Sequence, residues 1–348
     1  MDTETAYNQA LDYLYSFVDY SLKHSSELAK ADFKLDRMFA LMELLGNPQS
    51  KYPIIHVAGT KGKGSTSALC AAALQAAGYS VGLYTSPHLL DYVERIQING
   101  APISHEQLIE LVEEIKPYVA KIEMLTTFEI TTALAFLAFG KYGVNAAVFE
   151  VGLGGRLDAT NIVAPKVSVI TSLSYDHTAV LGNTLTLIAG EKAGIIKDGV
   201  PVVSSPQKDE SLVVLERVAA LKNSSLTLIG RDVNFELIES SLDGQKFIIH
   251  HSSFITPLLG NHQVENAATA YAALMVTHTV GRADCVASSI APRFMGSSRV
   301  SQLRVPSGLT STHSPSRTRA AASAIAGRHW ASSLRSTRTC PLARMCAP

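Results

Sequence analysis

Cysteine is scarce in this chain: of four, only Cys70 precedes Cys285. That excludes a disulfide framework from the first 284 residues and points to a reducing compartment, most simply the cytoplasm. No apolar run approaches the length of a membrane span. The longest, residues 131–139, reads as a buried helix, and no membrane partner is expected. The amino terminus is polar and acidic (Asp2, Glu4), without the pattern of a signal peptide. A further absence lies downstream: after Asp284 there is no Asp, Glu or Lys.

The formal charge of zero is therefore a cancellation. Up to Asp284 there are 21 basic and 30 acidic residues, a net of −9, and the remainder carries nine Arg amid Ser, Ala, Thr and Pro. That remainder also holds the single tryptophan, Trp330, and three cysteines. No apolar period of 2 or 3.6 survives in 297–348. A basic arm that binds nucleic acid by counterion release is one reading. Such arms mix Lys with Arg and seldom carry Cys and Trp. A wrong reading frame from a GC-rich gene, starting between about 276 and 290, fits the composition better. The domain expectation is one well-patterned unit over 1–280 and an aberrant, disordered Arg/Ser/Ala-rich tail over 281–348.

Residues 56–65, His-Val-Ala-Gly-Thr-Lys-Gly-Lys-Gly-Ser, lie between an apolar run (Ile54, Ile55, Val57) and an alanine-rich helical segment. Strand, glycine turn and helix start make a phosphate cradle. Gly59, Gly62 and Gly64 let backbone N–H groups curl round phosphate oxygens, Lys63 adds positive charge, and the Ser65 hydroxyl reaches a magnesium ion. The spacing departs from the usual P-loop: Val57 stands where a glycine belongs, and Gly64 separates lysine from hydroxyl. A glycine turn holding no nucleotide is the competing reading at this point.

Helices are expected at 7–20, 35–45, 65–77, 104–115, about 127–142, 184–196, 209–221 and about 263–276. Strands are expected at 53–57, 80–84, 93–98, 146–149, 167–170 and 201–203, with a hairpin at 233–239 and 245–250. The alternation argues for an α/β fold with a doubly wound, mostly parallel sheet, whose ligands gather at the carboxyl ends of the strands. Those ends carry Ser86 after 80–84, Glu150 after 146–149, and Asp176-His177 beyond 167–170. Each has an ordinary alternative, Ser86 as a turn former and His177 as a satisfied loop histidine. Glu150 is the sharpest candidate, because a carboxylate closing a buried strand needs a cation or a partner. Lys192 and Lys197, by themselves, read as snorkelling surface lysines.

Seven ordered motifs now stand together: Gly59-Thr60-Lys61-Gly62-Lys63-Gly64-Ser65, the Thr-Ser-Pro-His run at Ser86, Thr126-Thr127-Phe128-Glu129, the Glu150 run through Leu157-Asp158-Ala159, Asp176-His177, the Glu-Lys-Ala-Gly run at Lys192, and the Gly-Asn-His run ending at Asn266. Over about residues 10–275 this pattern resembles the folylpolyglutamate synthase/dihydrofolate synthase family of the Mur-ligase superfamily. The resemblance implies a Mur-ligase central domain of P-loop type. It places ATP phosphates on Gly59–Ser65 and adenine near Asn266, and binds two Mg2+ through Ser65, Ser86, Glu150 and His177. It also implies a carbamylated Lys192, catalytic roles for Lys63, Lys192 and His177, and a pterin site at Thr126, Thr127, Phe128, Glu129, Leu157, Asp158 and Ala159, with residues 30–33 more weakly. Lys61 departs from the family's usual asparagine.

The implied reaction is ATP-dependent addition of L-glutamate to dihydropteroate or a folate through an acyl phosphate, by a monomer. The family's C-terminal Rossmann-like domain reads as missing or scrambled here, so impaired ligation is expected. A Mur ligase acting on a UDP-sugar peptide is disfavoured by the Thr-Phe-Glu motif. A non-catalytic ATP-binding protein with a nucleic-acid-binding tail is the remaining alternative, though no nucleic-acid partner is expected.

Overall fold

The computed structural model describes residues 2–18 and 34–277. Residues 30–33 and the tail, for which expectations were stated, lie outside them. Four apolar residues and one histidine, His56, make the central strand β1 (Ile54–Ala58), buried along its length. β2 (Val81–Tyr84), β5 (Ala146–Glu150), β6 (Val167–Ile170) and β7 (Val202–Ser204) are equally buried, and β8 (Leu226–Leu228) flanks β7. With β3 (Ile96–Ile98) and β4 (Ala101–Pro102) they form one eight-stranded sheet, in the order β4-β3-β2-β5-β1-β6-β7-β8. From β2 to β8 the pairs are parallel; β3 and β4 run antiparallel at one edge. Near-continuous apolar strands fit a sheet covered on both faces.

One face packs against α1 (Thr3–Tyr15), α2 (Asp36–Leu44), α4 (His105–Val119) and α5 (Thr127–Lys141). Helix α5 is buried on nearly every side, so its apolar residues show little periodicity, and it begins with a capping box between Thr126 and Glu129. The other half of this face is covered by α7 (Leu185–Ala193) and α8 (Asp209–Leu221). On the opposite face lie α3 (Lys63–Ala76) and α9 (Asn261–Val276), with a small antiparallel sheet of β9 (Phe235–Ser241), β10 (Gly244–Ile249) and β11 (Ser252–Thr256). Phe149, fully buried between Phe136 and Tyr84, contributes about 2–3 kcal/mol by area alone.

The differences from the sequence expectation have local causes. The first helix ends at Tyr15, closed by the Ser16 N–H on Asp12 and Tyr13 carbonyls. Helix α4 runs past Pro117 to Val119, whose burial outweighs the hydrogen bond that proline removes. The segment 93–98 divides into a 3₁₀ turn, Tyr92–Arg95, capped by Asp91, and the short strand β3. The hairpin gains a third strand, β11. None of the described helices is long and apolar enough to cross a membrane.

Candidate active site

β1 lies between β5 and β6, where the chain's crossovers change direction, and the crevice at its carboxyl end is where such folds place ligands. The loop leaving β1 is anchored to the exit of β6. Thr60 and Lys61 both donate their backbone N–H to the Ser172 carbonyl at 3.1 Å, and Thr60 Oγ1 donates to the Ser174 carbonyl. Gly59 (φ +153°) is packed so closely that a Cβ would overlap the Thr171 side chain; Gly62 (φ +86°) lies as close to Asn266 Oδ1. The first intrahelical bond of α3 runs from Thr66 N–H to the Gly62 carbonyl, so the amides ahead of it form the donor-rich end of a helix dipole.

Glu150 closes β5 alongside Val57 and is 5 % exposed. Its carboxylate lies across from Gly64, where a Cβ would stand 3.6 Å from Oε2, and Ser86 N–H donates to Oε2 at 3.3 Å. Burial pushes its carboxyl up to about 7, against the opposing pull of Lys63 and the Ser86 N–H. Lys192, expected at the surface on its own reading, is 4 % exposed, and its Nζ donates to the Gly59 carbonyl at 2.8 Å. Burial and then the Lys63 charge bring its ammonium down to about 8, with Asp176 and Asp158 opposing. The phosphate loop thus has a buried carboxylate on one flank and a buried amine on the other. Lys197 also departs from the surface reading: it is half-buried and donates to the Asn161 carbonyl at 2.9 Å.

Among the described residues no three His, Cys, Asp or Glu side chains converge as a metal cage. The donors near the loop, Ser65, Ser86 and the Glu150 carboxylate, are hard oxygens that fit a magnesium ion completing its shell with phosphate oxygens and water. His177 sits differently. It holds a left-handed backbone (φ +44°) before the short helix α6 (Thr178–Leu181), its side chain is half exposed, and Nε2 is 3.7 Å from Asp176 Oδ1. Asn266, on α9, is buried with Nδ2 donating to Gln263 Oε1.

The residues expected at a pterin site already have protein partners. Thr126 and Glu129 cap α5, and Glu129 Oε1 also receives Arg37 Nε at 3.0 Å. Thr127 Oγ1 donates to the Leu14 carbonyl, and the Phe128 ring lies against Gly152, where a Cβ would collide with it. Asp158 is buried and accepts from Leu153 N–H, Thr160 N–H and the Thr160 hydroxyl; burial holds its carboxyl above the usual range, against those donors. Ala159 is buried and Leu157 half-buried. Sequence reading missed Arg37 as partner of Glu129 and Thr171 and Ser172 as anchors of the loop. The last two follow a buried strand directly, which was an available signal.

A doubly wound sheet whose central strand opens into a glycine-built helix start, flanked by a buried carboxylate and a buried lysine, has the architecture of an α/β domain of phosphate-loop type. The Mur ligase middle domain model matches residues 57–274, and the chain belongs to the Mur ligase family, in its folylpolyglutamate/dihydrofolate synthase branch. It is 41 % identical over 276 residues to the dihydrofolate synthase/folylpolyglutamate synthase of Bacillus subtilis, covering 76 % of this chain and 62 % of that protein. The structure of folylpolyglutamate synthase from Thermotoga maritima matches with TM-score 0.71 and 37 % identity over 80 % of this chain and 63 % of that one. A folylpolyglutamate synthase complex with AMPPCP and folate matches with TM-score 0.74 and 33 % identity, over 82 % and 71 %. The chain thus spans about 62 % of the length of the Bacillus subtilis relative.

Proposed function

We propose that this chain binds ATP on the Gly59–Ser65 loop and belongs to the chemistry that joins L-glutamate to dihydropteroate or a folate. The observation that carries this reading is the pair of buried ionisable groups on the loop: Glu150 against Gly64, and Lys192 on the Gly59 carbonyl. A nucleotide triphosphate brings negative charge that Lys63 and the α3 amides answer. Glu150, Ser65 and Ser86, with His177 from the loop that follows β6, would hold magnesium, which when bound neutralises the phosphates and lines up the reacting oxygens.

In the proposed reaction the substrate carboxylate oxygen forms a bond to the γ-phosphorus and ADP leaves with the broken P–O bond. The amine of glutamate then attacks the acyl carbon, loses a proton, and inorganic phosphate departs. The residues contribute by positioning and charge neutralisation, with Lys63 at the γ-phosphate. Lys192, its ammonium brought down to about 8, keeps a useful neutral fraction; its amine adding to CO2 with loss of a proton gives the carbamate implied by the resemblance. Asn266, whose Oδ1 lies on Gly62, is assigned to the nucleotide. Thr126 to Glu129 and Leu157 to Ala159 are assigned to the pterin side; their internal hydrogen bonds make them the frame of that pocket as much as its lining.

Residues 281–348 are assigned to no part of the ligase. With no acidic residue and no lysine after Asp284, residues 285–348 offer no carboxylate side chain for a second substrate or metal site, so ligation by this chain alone is expected to be weak. The test is ADP release measured with and without dihydropteroate and glutamate, beside direct titration of AMPPCP. Nucleotide binding with slow, substrate-dependent ADP release supports the reading, and failure to bind AMPPCP in the presence of magnesium overturns it. Resequencing the gene at codons 275–290 tests the wrong-frame origin of the tail: an Asp-bearing frame restored by one base supports it, and an unbroken frame refutes it.

A further inference from the structure

His56 stands in the middle of β1 with no exposed surface, on the same sheet face as Ile54 and Ala58. That face carries two separate apolar clusters, one around Ile54 and Phe149 and one around Ala58 and Ile170. His56 and its register neighbour Ser168 lie between them as a polar seam. The Ser168 hydroxyl donates to the Ile195 carbonyl, and His56 Nε2 is 2.8 Å from Thr160 Oγ1.

The direction of this chain of bonds follows from its end. Both Asp158 oxygens are acceptors, Oδ2 for Leu153 N–H and Oδ1 for the backbone and hydroxyl of Thr160. The Thr160 proton is thereby committed to Asp158, so Thr160 Oγ1 must accept from His56, which carries its proton on Nε2. Burial and the Lys197 charge bring the imidazole down to about 3, so it stays neutral through the physiological range. Nδ1 has no hydrogen-bond partner among the described residues. A buried imidazole that leaves one nitrogen unbonded is costly, and an apolar side chain would fill the seam without that loss. What the imidazole supplies instead is a directed N–H.

We propose that His56, acting through Thr160, is a positioning residue: it fixes the Asp158 loop, residues 152–160, to the strand that feeds the phosphate loop. The inference rests on the assignment of that loop to the pterin substrate above. Because β1 continues into Gly59 two residues beyond Val57, the relay sets the pterin side and the phosphate side of the crevice in one register.

In the full chain, Thr160→Val removes the central hydroxyl at nearly constant volume and Thr160→Ser restores it. Hydrogen–deuterium exchange at the Leu153 and Thr160 amides is expected to rise about ten-fold in Thr160→Val, the scale of one hydrogen bond to a charged group. Exchange at Val57 and Phe149 stays within about two-fold, and Thr160→Ser behaves as the wild type. Dihydropteroate affinity falls by about ten-fold in Thr160→Val while AMPPCP affinity holds within about two-fold. Should Thr160→Val fail to fold, His56→Gln, which keeps an N–H donor, set against His56→Leu reads the same link. Unchanged exchange at the two amides, or uniform acceleration across the domain, overturns the relay. Faster loop exchange without loss of dihydropteroate affinity overturns the positioning role. A wild type that binds no dihydropteroate sinks the pterin assignment instead, and the exchange result still judges the relay.

Discussion

Replacing Glu150 with glutamine should make the ligand-free protein more stable at mild alkaline pH. The carboxyl is 5 % exposed, and burial raises it from the ordinary 4.5 to about 7 in the folded chain. Between those values the folded state binds the proton that the unfolded state has released, so stability falls as pH climbs through this window. A shift of this size corresponds to about 3 kcal/mol, fully expressed above pH 7 and absent below about pH 4. Glutamine keeps the shape, can accept the Ser86 N–H, and carries no charge. Urea unfolding with EDTA present, near pH 8 and near pH 4, measures the difference. The expected outcome is Glu150→Gln about 2–3 kcal/mol above the wild type near pH 8 and level with it near pH 4. Magnesium with AMPPCP should stabilise the wild type and leave the variant nearly unmoved. A variant no more stable than the wild type near pH 8 would refute the idea that an uncompensated carboxylate is held there for a cation.

Lys192→Met is the mirror case. With the ammonium lowered from 10.5 to about 8, the folded state binds fewer protons than the unfolded one between those values, so stability rises with pH across them. The substitution should stabilise the ligand-free chain near pH 7 by about 1–2 kcal/mol after loss of the bond to the Gly59 carbonyl, and the gain should vanish above about pH 10.5, as read by unfolding curves. Gly62→Ala, driving a Cβ into Asn266 at a positive φ, should weaken AMPPCP binding by ten-fold or more on the order of one strained residue, measured by calorimetry. Arg37→Met leaves Glu129 buried beside only its cap and should lower stability by about 3 kcal/mol in urea melts. Thr126→Ala, which removes the other half of that cap, should lose about 1 kcal/mol in the same assay.

The parts of this molecule that could be read from sequence are those where local chemistry and tertiary fate agree. β1, β5 and β6 are apolar runs that can only be interior strands, and Glu150 announces itself by ending one of them. The phosphate loop is legible because its glycines and its lysine are contiguous. Lys192 is not: its neighbours resemble those of any helix end, and its burial depends on a carbonyl 133 residues away. Edge strands β4 and β8 are too short to leave a period, and β11 follows a turn at His250 with left-handed backbone that no glycine marks. Thr126 and Glu129 were legible as a motif, yet their capping role and the Arg37 pair depend on how α2 and α5 pack. The histidine of β1 passed unnoticed because nothing near it in sequence suggests a partner in the 152–160 loop.

The tight seating of Gly59 against Thr171, and of Gly62 against Asn266, bears on transplanting this site. Those glycines yield space to side chains that arrive over a hundred residues later in the chain. A seven-residue graft onto another scaffold would carry the letters of the loop without the intruders that give them meaning. The smallest portable unit is discontinuous: the loop, the exit of β6, and the first turns of α9.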